Sequence, residues 1–155
     1  MTAGCLEVSL ENWQQMKAHV QSVDPREACG MVSGRGHVSE KVYEVKNVAA
    51  GEHRFRMEPS EQVRAFFDIE RSGYDFLAIY HSHPDGPARP SRIDHEEWCY
   101  PHVLCLLWSR DAGEWICKVF AYSTEGFNEV SLCVPDNASD ILSSDQAVAR
   151  EQRTR

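Results

Sequence analysis

Residues 76–80 form a short, uninterrupted apolar run that leads into two histidines and a proline-rich loop. An apolar run of this length, bounded by turn residues, is typical of a central β-strand that is buried on both faces. The loop at residues 84–90 contains three prolines and a glycine, so it is neither a helix nor an inner strand. We therefore expect a fold built around one buried strand whose carboxyl end opens into a loop.

Helical and extended patterns alternate along the rest of the chain. Helical periods, each opened by a serine cap, predict helices over residues 9–23, 60–73 and 91–101. Strand patterns cover residues 27–33, 38–49, 53–57, 103–108, 115–122 and 128–134. This order predicts an α/β fold, a mixed β-sheet with helices packed on its faces. We expect one domain over residues 1–135 and a loose polar C-terminal tail over residues 136–155.

Composition excludes several classes of function. The chain of 155 residues has a formal net charge of −8, which disfavours binding to the phosphate backbone of nucleic acids. No stretch approaches the roughly 20 apolar residues of a membrane-spanning helix. The N-terminus lacks the basic and apolar regions of a secretory signal, so we expect a cytoplasmic protein with no membrane partner. Its six cysteines include no C-x-x-C pair, so we expect them to be reduced and not to bind zinc.

The histidines that follow the apolar run are candidates for metal ligands. His81 and His83 are two residues apart, so in a strand their side chains point to the same face. Paired imidazoles are natural zinc ligands. The proline-rich loop then delivers Asp94 to the first turn of the next helix, where a carboxylate is favoured by the helix dipole. Two histidines and one carboxylate leave a fourth tetrahedral position for water, as in a catalytic site.

A zinc site of this kind needs a base, and Glu27 is the best candidate. Glu27 begins a predicted strand, and a charged residue at the start of a buried strand requires a specific partner. A position beside the metal-bound water would supply one.

Each of these residues also has a simpler interpretation. The two histidines could be surface residues, Glu27 could be a solvated strand residue, and Ser91 with Asp94 could be a capping box without catalysis. His95 is a rival third ligand, although on a helix it points about 100° away from Asp94.

Taken together, the residues resemble the JAMM (MPN+) family of zinc metalloproteases. His81-Ser82-His83, seven residues, Ser91, two residues and Asp94 match the family motif H-x-H-x7-S-x2-D without a gap. The segment Pro25-Arg26-Glu27-Ala28-Cys29-Gly30 is similar to the family's P-x-E-x-C-G strand. The resemblance implies the JAMM/MPN fold, one Zn²⁺ with a bound water on His81, His83 and Asp94, Glu27 as general base, and Ser91 as hydrogen-bond donor to the developing oxyanion.

The resemblance is strongest to small, stand-alone prokaryotic members. Only seven residues separate Asp94 from His102, which leaves little room for the insertion found beside the site in eukaryotic deubiquitinases. It implies hydrolysis of the amide bond after the C-terminal Gly-Gly of a ubiquitin-like or sulfur-carrier protein, including the release of cysteine from a sulfur carrier. We expect such a tail to add as a strand to an exposed edge at residues 53–57.

Three alternatives remain open from the sequence. The fold could carry an endopeptidase with another substrate, such as peptidoglycan. It could belong to a RadC-like protein linked to DNA, which the charge of −8 disfavours. It could also be a non-catalytic interaction module in which the metal is absent or structural.

Overall fold

The computed structural model describes residues 5–135, and the predicted tail at residues 136–155 lies outside the described residues. The described part contains three helices and seven strands. In chain order they are β1 (Cys5–Glu7), α1 (Leu10–Val23), β2 (Cys29–Arg35), β3 (Val38–Val45), α2 (Pro59–Ser72), β4 (Asp75–His83), α3 (Arg92–Glu97), β5 (Leu104–Asp111), β6 (Glu114–Ser123) and β7 (Gly126–Cys133). None of the described helices has the length and apolar character needed to cross a membrane.

The strands form one mixed sheet in the order β1-β3-β2-β4-β5-β6-β7. β4 pairs antiparallel with β2 and parallel with β5, so the predicted buried strand is central. The mixed sheet and the helices match the prediction, but the sheet closes into a barrel through parallel pairing of β1 with β7. This closure was not predicted, because β1 has only three residues and its partner lies at the other end of the described chain.

The two longer helices contact opposite faces of β4. Met16 and Val20 of α1 belong to the same buried cluster as Tyr80, whereas Ala65 and Ile69 of α2 pack in a second cluster with Ile79. Since successive side chains of a strand point to opposite faces, β4 lies between the two helices. The strand therefore has no solvated face, in agreement with its apolar sequence.

Gly30 of β2 is required by this packing. A Cβ atom added at Gly30 would lie 2.2 Å from the ring of Tyr80 and 2.4 Å from the carbonyl oxygen of Tyr43. Both distances are far below van der Waals contact, so any side chain would force β2 away from β4. Close approach of these two strands brings the segment before β2 next to the end of β4.

The strand predicted at residues 53–57 is wrong. Only Met57 forms a bridge, with Asn47. The side chain of Asn47 organises the loop instead: its Nδ2 donates to the carbonyl oxygens of Glu27 and Arg54, and its Oδ1 accepts from the backbone N–H groups of Ala49 and Arg56. These bonds satisfy the backbone groups that a strand ladder would otherwise use.

Candidate metal centre

The carboxyl end of β4 presents two buried histidines on one face. His81 is fully buried and His83 is 6% exposed. Their ring centroids lie 5.0 Å apart. β2 and β5 flank His81 on both sides, with Cys29 and Leu107 as its pairing partners, so the backbone that carries this histidine is fixed by the sheet.

The N-terminus of α3 brings Asp94 to the histidines. Ser91 is the N-cap, and its Oγ accepts a hydrogen bond from the backbone N–H of Asp94 at 3.1 Å. In return, Asp94 Oδ2 accepts from the backbone N–H of Ser91 at 2.8 Å. The capping box considered above is therefore present. The same Oδ2 atom lies 3.1 Å from Nε2 of His81 and 3.2 Å from Nε2 of His83, so capping and contact with the histidines occur together.

Glu27 completes the cluster from the segment that precedes β2. It is 4% exposed, and its Oε1 has no hydrogen-bond partner among the described residues. Glu27, His81 and His83 each offer a ligand atom within 4.8 Å of the others. The predicted strand start at Glu27 is two residues early, since β2 begins at Cys29.

Electrostatic conditions differ sharply between the two carboxylates. Burial raises the pKa of Glu27 to about 7, with nearby Asp94 adding to the increase and His83 opposing it. Burial also acts to raise the pKa of Asp94, but its contacts with His81, His83 and Ser91 outweigh burial and hold that pKa well below its usual range. Asp94 is thus an ionised acceptor, whereas Glu27 exchanges a proton near neutral pH.

The pKa values of the two histidines are also shifted in opposite directions. Burial lowers the pKa of His81, although Asp94 opposes the effect. For His83, burial is outweighed by hydrogen bonds to Asp94 and Pro87 and by the charge of Glu27, so its pKa is raised. His83 Nδ1 lies 3.0 Å from the carbonyl oxygen of Pro87, which can only accept a hydrogen bond. Nδ1 therefore carries a proton, and Nε2 is the ring nitrogen that faces Asp94.

Three residues that shape the site were missed from the sequence. Phe55 stacks on the ring of His81 with centroids 4.6 Å apart, and the Sγ of Cys105 lies 4.0 Å from His81 Nδ1. Ser82 Oγ accepts from the backbone N–H of Ala28 at 2.8 Å, which ties the segment carrying Glu27 to the strand carrying the histidines. Ser82 is the middle residue of the H-x-H motif, but its hydrogen-bond partner is 54 residues away in the sequence, so the motif does not indicate this contact.

His95 is not brought into the cluster. Its exposed ring packs against Phe127, with centroids 4.8 Å apart. The structure therefore places Glu27, His81, His83, Ser91 and Asp94 together and leaves the rival ligand on another surface.

The arrangement fits a zinc ion. Ligand atoms bound about 2.0–2.2 Å from a tetrahedral zinc ion lie roughly 3.3 Å from one another, close to the separations between Asp94 Oδ2 and the two Nε2 atoms. Nitrogen and carboxylate oxygen are the donors that zinc accepts. The buried, unpartnered Oε1 of Glu27 is explained if a further polar group binds beside it.

Known proteins are similar to this chain in sequence. Residues 9–121 match the family described as prokaryotic homologs of the JAB domain. A probable TtuB-protein conjugate cleaving protease from Thermus thermophilus is 37% identical over 94 residues, covering 59% of this chain and 63% of that protein. A desampylase from Haloferax volcanii is 32% identical over 117 residues, covering 71% of this chain and 79% of that protein. The chain thus matches a little less than two thirds of the Thermus protein.

Solved structures share the fold. The solution structure of protein DSY2949 from Desulfitobacterium hafniense has a TM-score of 0.77 and 31% identity, covering 85% of this chain and 94% of that one. A JAB1/MPN domain protein from Archaeoglobus fulgidus has a TM-score of 0.53 and 18% identity, covering 83% of this chain and 99% of that one. The second likeness shows the fold alone. With the family match extending over residues 9–121, the chain belongs to the small prokaryotic members of the JAMM/MPN (JAB domain) family.

Proposed function

We propose that this protein is a zinc-dependent peptidase or isopeptidase that hydrolyses the amide bond after the C-terminal Gly-Gly of a ubiquitin-like or sulfur-carrier protein. The observation that carries the proposal is the buried carboxylate of Glu27, whose unpartnered Oε1 belongs to a cluster with His81 and His83. Burial raises its pKa to about 7. A buried acid without a partner is costly in a purely structural role. It is useful where a proton must be taken and returned near neutral pH.

His81, His83 and Asp94 would hold the zinc ion. Both Nε2 atoms already face Asp94 Oδ2, and the lowered pKa of Asp94 keeps it ionised. Glu27 has the opposite tendency, so we assign it as the base and not as the third ligand. When bound, zinc polarises the substrate carbonyl and lowers the pKa of water at the site to about 7.

Glu27 and Ser91 would be the catalytic side chains of the protein. Glu27 takes a proton from the attacking water and later gives it to the departing nitrogen. Ser91 Oγ accepts from Asp94 N–H, so its own hydroxyl hydrogen is free to donate to the carbonyl oxygen as negative charge develops there. The buried surroundings of His81 and Asp94 exclude water and strengthen these interactions.

The substrate class rests on the relatives and on the family resemblance. The Thermus relative is described as cleaving TtuB-protein conjugates, and the Haloferax relative is a desampylase. We infer a ubiquitin-like or sulfur-carrier protein as partner and a Gly-Gly tail as the recognised end. Glycines suit a passage close to a walled site because they carry no side chain.

A second candidate is an endopeptidase of the same fold with another substrate. Tail tip assembly protein K of Escherichia phage N15 is 37% identical over 80 residues, which cover 50% of this chain and 30% of that protein. The third possibility, a non-catalytic metal-binding module, leaves the unpartnered Oε1 of Glu27 without a purpose.

The direct test uses carrier proteins with a C-terminal extension after Gly-Gly, incubated with zinc-loaded protein and analysed by mass spectrometry. We expect cleavage immediately after the second glycine. Changing Gly-Gly to Ala-Ala should lower kcat/KM by about 10-fold or more, because a displaced carbonyl loses its attack geometry. Equal rates for both carriers would favour the endopeptidase with broader specificity, and absence of cleavage by the zinc-loaded protein would favour the interaction module.

A further inference from the structure

Two pockets that share no lining residue adjoin the candidate metal centre. The first has a volume of about 360 Å³ and reaches Asp94, and the second has a volume of about 200 Å³ and reaches Glu27, His83 and Ser91. The walls of the first are mainly apolar and aromatic; they include Phe55, Met57, Ile79, Ile93, Trp98 and Tyr100. A substrate that crosses the centre must place one side of the scissile bond toward each pocket.

The position of Glu27 decides which side goes where. In hydrolysis, water loses a proton to Glu27, its oxygen bonds to the carbonyl carbon, and the C–N bond breaks. The nitrogen keeps the electron pair of that bond and takes the proton from Glu27. The nitrogen must therefore face Glu27, which lines the second pocket. This step rests on the proposed function.

The second pocket has a distinctive lining. The rings of Pro25, Pro84 and Pro87 provide apolar walls, and the exposed carboxylates of Glu52 and Asp85 line it as well. Among the described residues, no lysine or arginine lines this pocket, and its only other basic side chains are those of His53 and His83. Arg110 interacts electrostatically with Asp85, but its guanidinium donates two hydrogen bonds of 2.8 and 3.3 Å to Asp24. Glu27, whose buried Oε1 is unpartnered, lines the same pocket, which indicates that a polar group binds there.

We propose that this pocket binds the amine side of the scissile bond, and that Glu52 and Asp85 select an amine-side segment that is positively charged. An extended aliphatic chain such as that of lysine fits between proline rings, and basic neighbours of the modified residue would meet the two carboxylates. The volume of about 200 Å³ suits one side chain and not a folded partner. Conjugates at basic surface segments are therefore the preferred class of substrate.

The test uses Glu27→Gln protein, which leaves the peptides intact. The probes are peptides Ala-Leu-Ala-Gly-Gly extended by Ala-Lys-Lys-Ala, Ala-Ala-Ala-Ala or Ala-Glu-Glu-Ala, titrated into ¹⁵N-labelled, zinc-loaded protein. We expect the basic peptide to bind about 3- to 10-fold more tightly than the neutral one at low salt, since exposed ion pairs each contribute modestly. The difference should shrink at high salt. Amide signals of Glu52, Gly86 and Ser91 should shift.

Glu52→Gln combined with Asp85→Asn should abolish the preference for the basic peptide, while Glu40→Gln, an exposed carboxylate on β3, should keep it. Equal affinity for the three peptides, preference that survives the double variant, or shifts confined to Met57 and Trp98 would each overturn the proposal. These results do not depend on turnover. Failure of the proposed function would instead appear as wild-type protein that binds basic peptides at these residues but cleaves no Gly-Gly carrier.

Discussion

At the scale of single residues, the site depends on side chains whose roles are separated by their surroundings. Asp94 is a buried carboxylate surrounded by donors, so it stays ionised. Glu27 is a buried carboxylate without a donor on Oε1, so its pKa rises to about 7. Two residues of the same chemical type therefore suit different tasks, in agreement with the proposed roles of Asp94 as ligand and Glu27 as base.

Replacing a ligand should remove the metal. We expect His83→Ala and Asp94→Asn to lose stoichiometric zinc, because two remaining donors cannot hold a catalytic ion. His95→Ala is the matched control, since its ring packs against Phe127 away from the cluster. Metal analysis of the purified variants checks this. Full zinc occupancy in Asp94→Asn would remove Asp94 from the ligand set and leave Glu27 as the third ligand.

At the scale of elements, the carboxylate of Asp68 links α2 to β3 through hydrogen bonds. Asp68 of α2 accepts hydrogen bonds from the hydroxyl of Tyr43 at 2.6 Å and from Lys41 at 3.1 Å, and Arg71 on its own helix adds a third at 3.2 Å. These bonds, led by that of Tyr43, lower the pKa of Asp68 to about 2. The tether matters for the site because α2 also lines the first pocket through Gln62.

This tether should make stability depend on pH. In the folded protein the pKa of Asp68 is below its ordinary value of 3.8. The contribution of Asp68 to the free energy of unfolding is therefore complete above pH 3.8 and is lost as the pH falls toward 2. We expect Asp68→Asn to lower the melting temperature at pH 7, with the difference from wild type narrowing below pH 4. Glu70→Gln, an exposed change on the same helix, should show little effect. A difference that stays constant between pH 6 and pH 3 would contradict this assignment.

The elements also show which parts of the site could be predicted from sequence. His81, His83, Ser91 and Asp94 lie within one strand-loop-helix segment, so their spacing alone indicated their proximity. The Ala28–Ser82 hydrogen bond and the stacking of Phe55 on His81 join distant segments, and no local pattern reports such contacts. The strand predicted at residues 53–57 failed for the same reason, since the side chain of Asn47 determines that loop.

At the scale of the whole molecule, the described strands close into a barrel, and one of them, β4, carries His81 and His83 of the candidate metal centre. β1 was not predicted, yet it joins β3 and β7 and completes the ring of strands. Leu6 on β1 is fully buried in the cluster that contains Val8, Met16 and Tyr80. Tyr80 immediately precedes His81, so packing at the barrel seam reaches the strand that carries His81 and His83.

Leu6→Ala should therefore destabilise the entire fold. Loss of a fully buried leucine costs about 2–5 kcal/mol, from lost burial and from the cavity that remains. Urea denaturation measures this change in the free energy of unfolding, with Val63→Ala, a half-exposed position on α2, as control. A loss below about 1 kcal/mol would show that β1 contributes little and that the barrel closure is not essential to stability.

The proposed role of Glu27 as the base of a zinc-dependent hydrolysis is tested most directly by the zinc content of Glu27→Gln and its turnover on a Gly-Gly carrier. The amide has the same shape as the acid but cannot take a proton from water. We predict stoichiometric zinc, with kcat reduced by about 10²–10⁴-fold. Wild-type turnover in this variant would contradict the role of Glu27 as base, and loss of its zinc would make Glu27 a metal ligand instead.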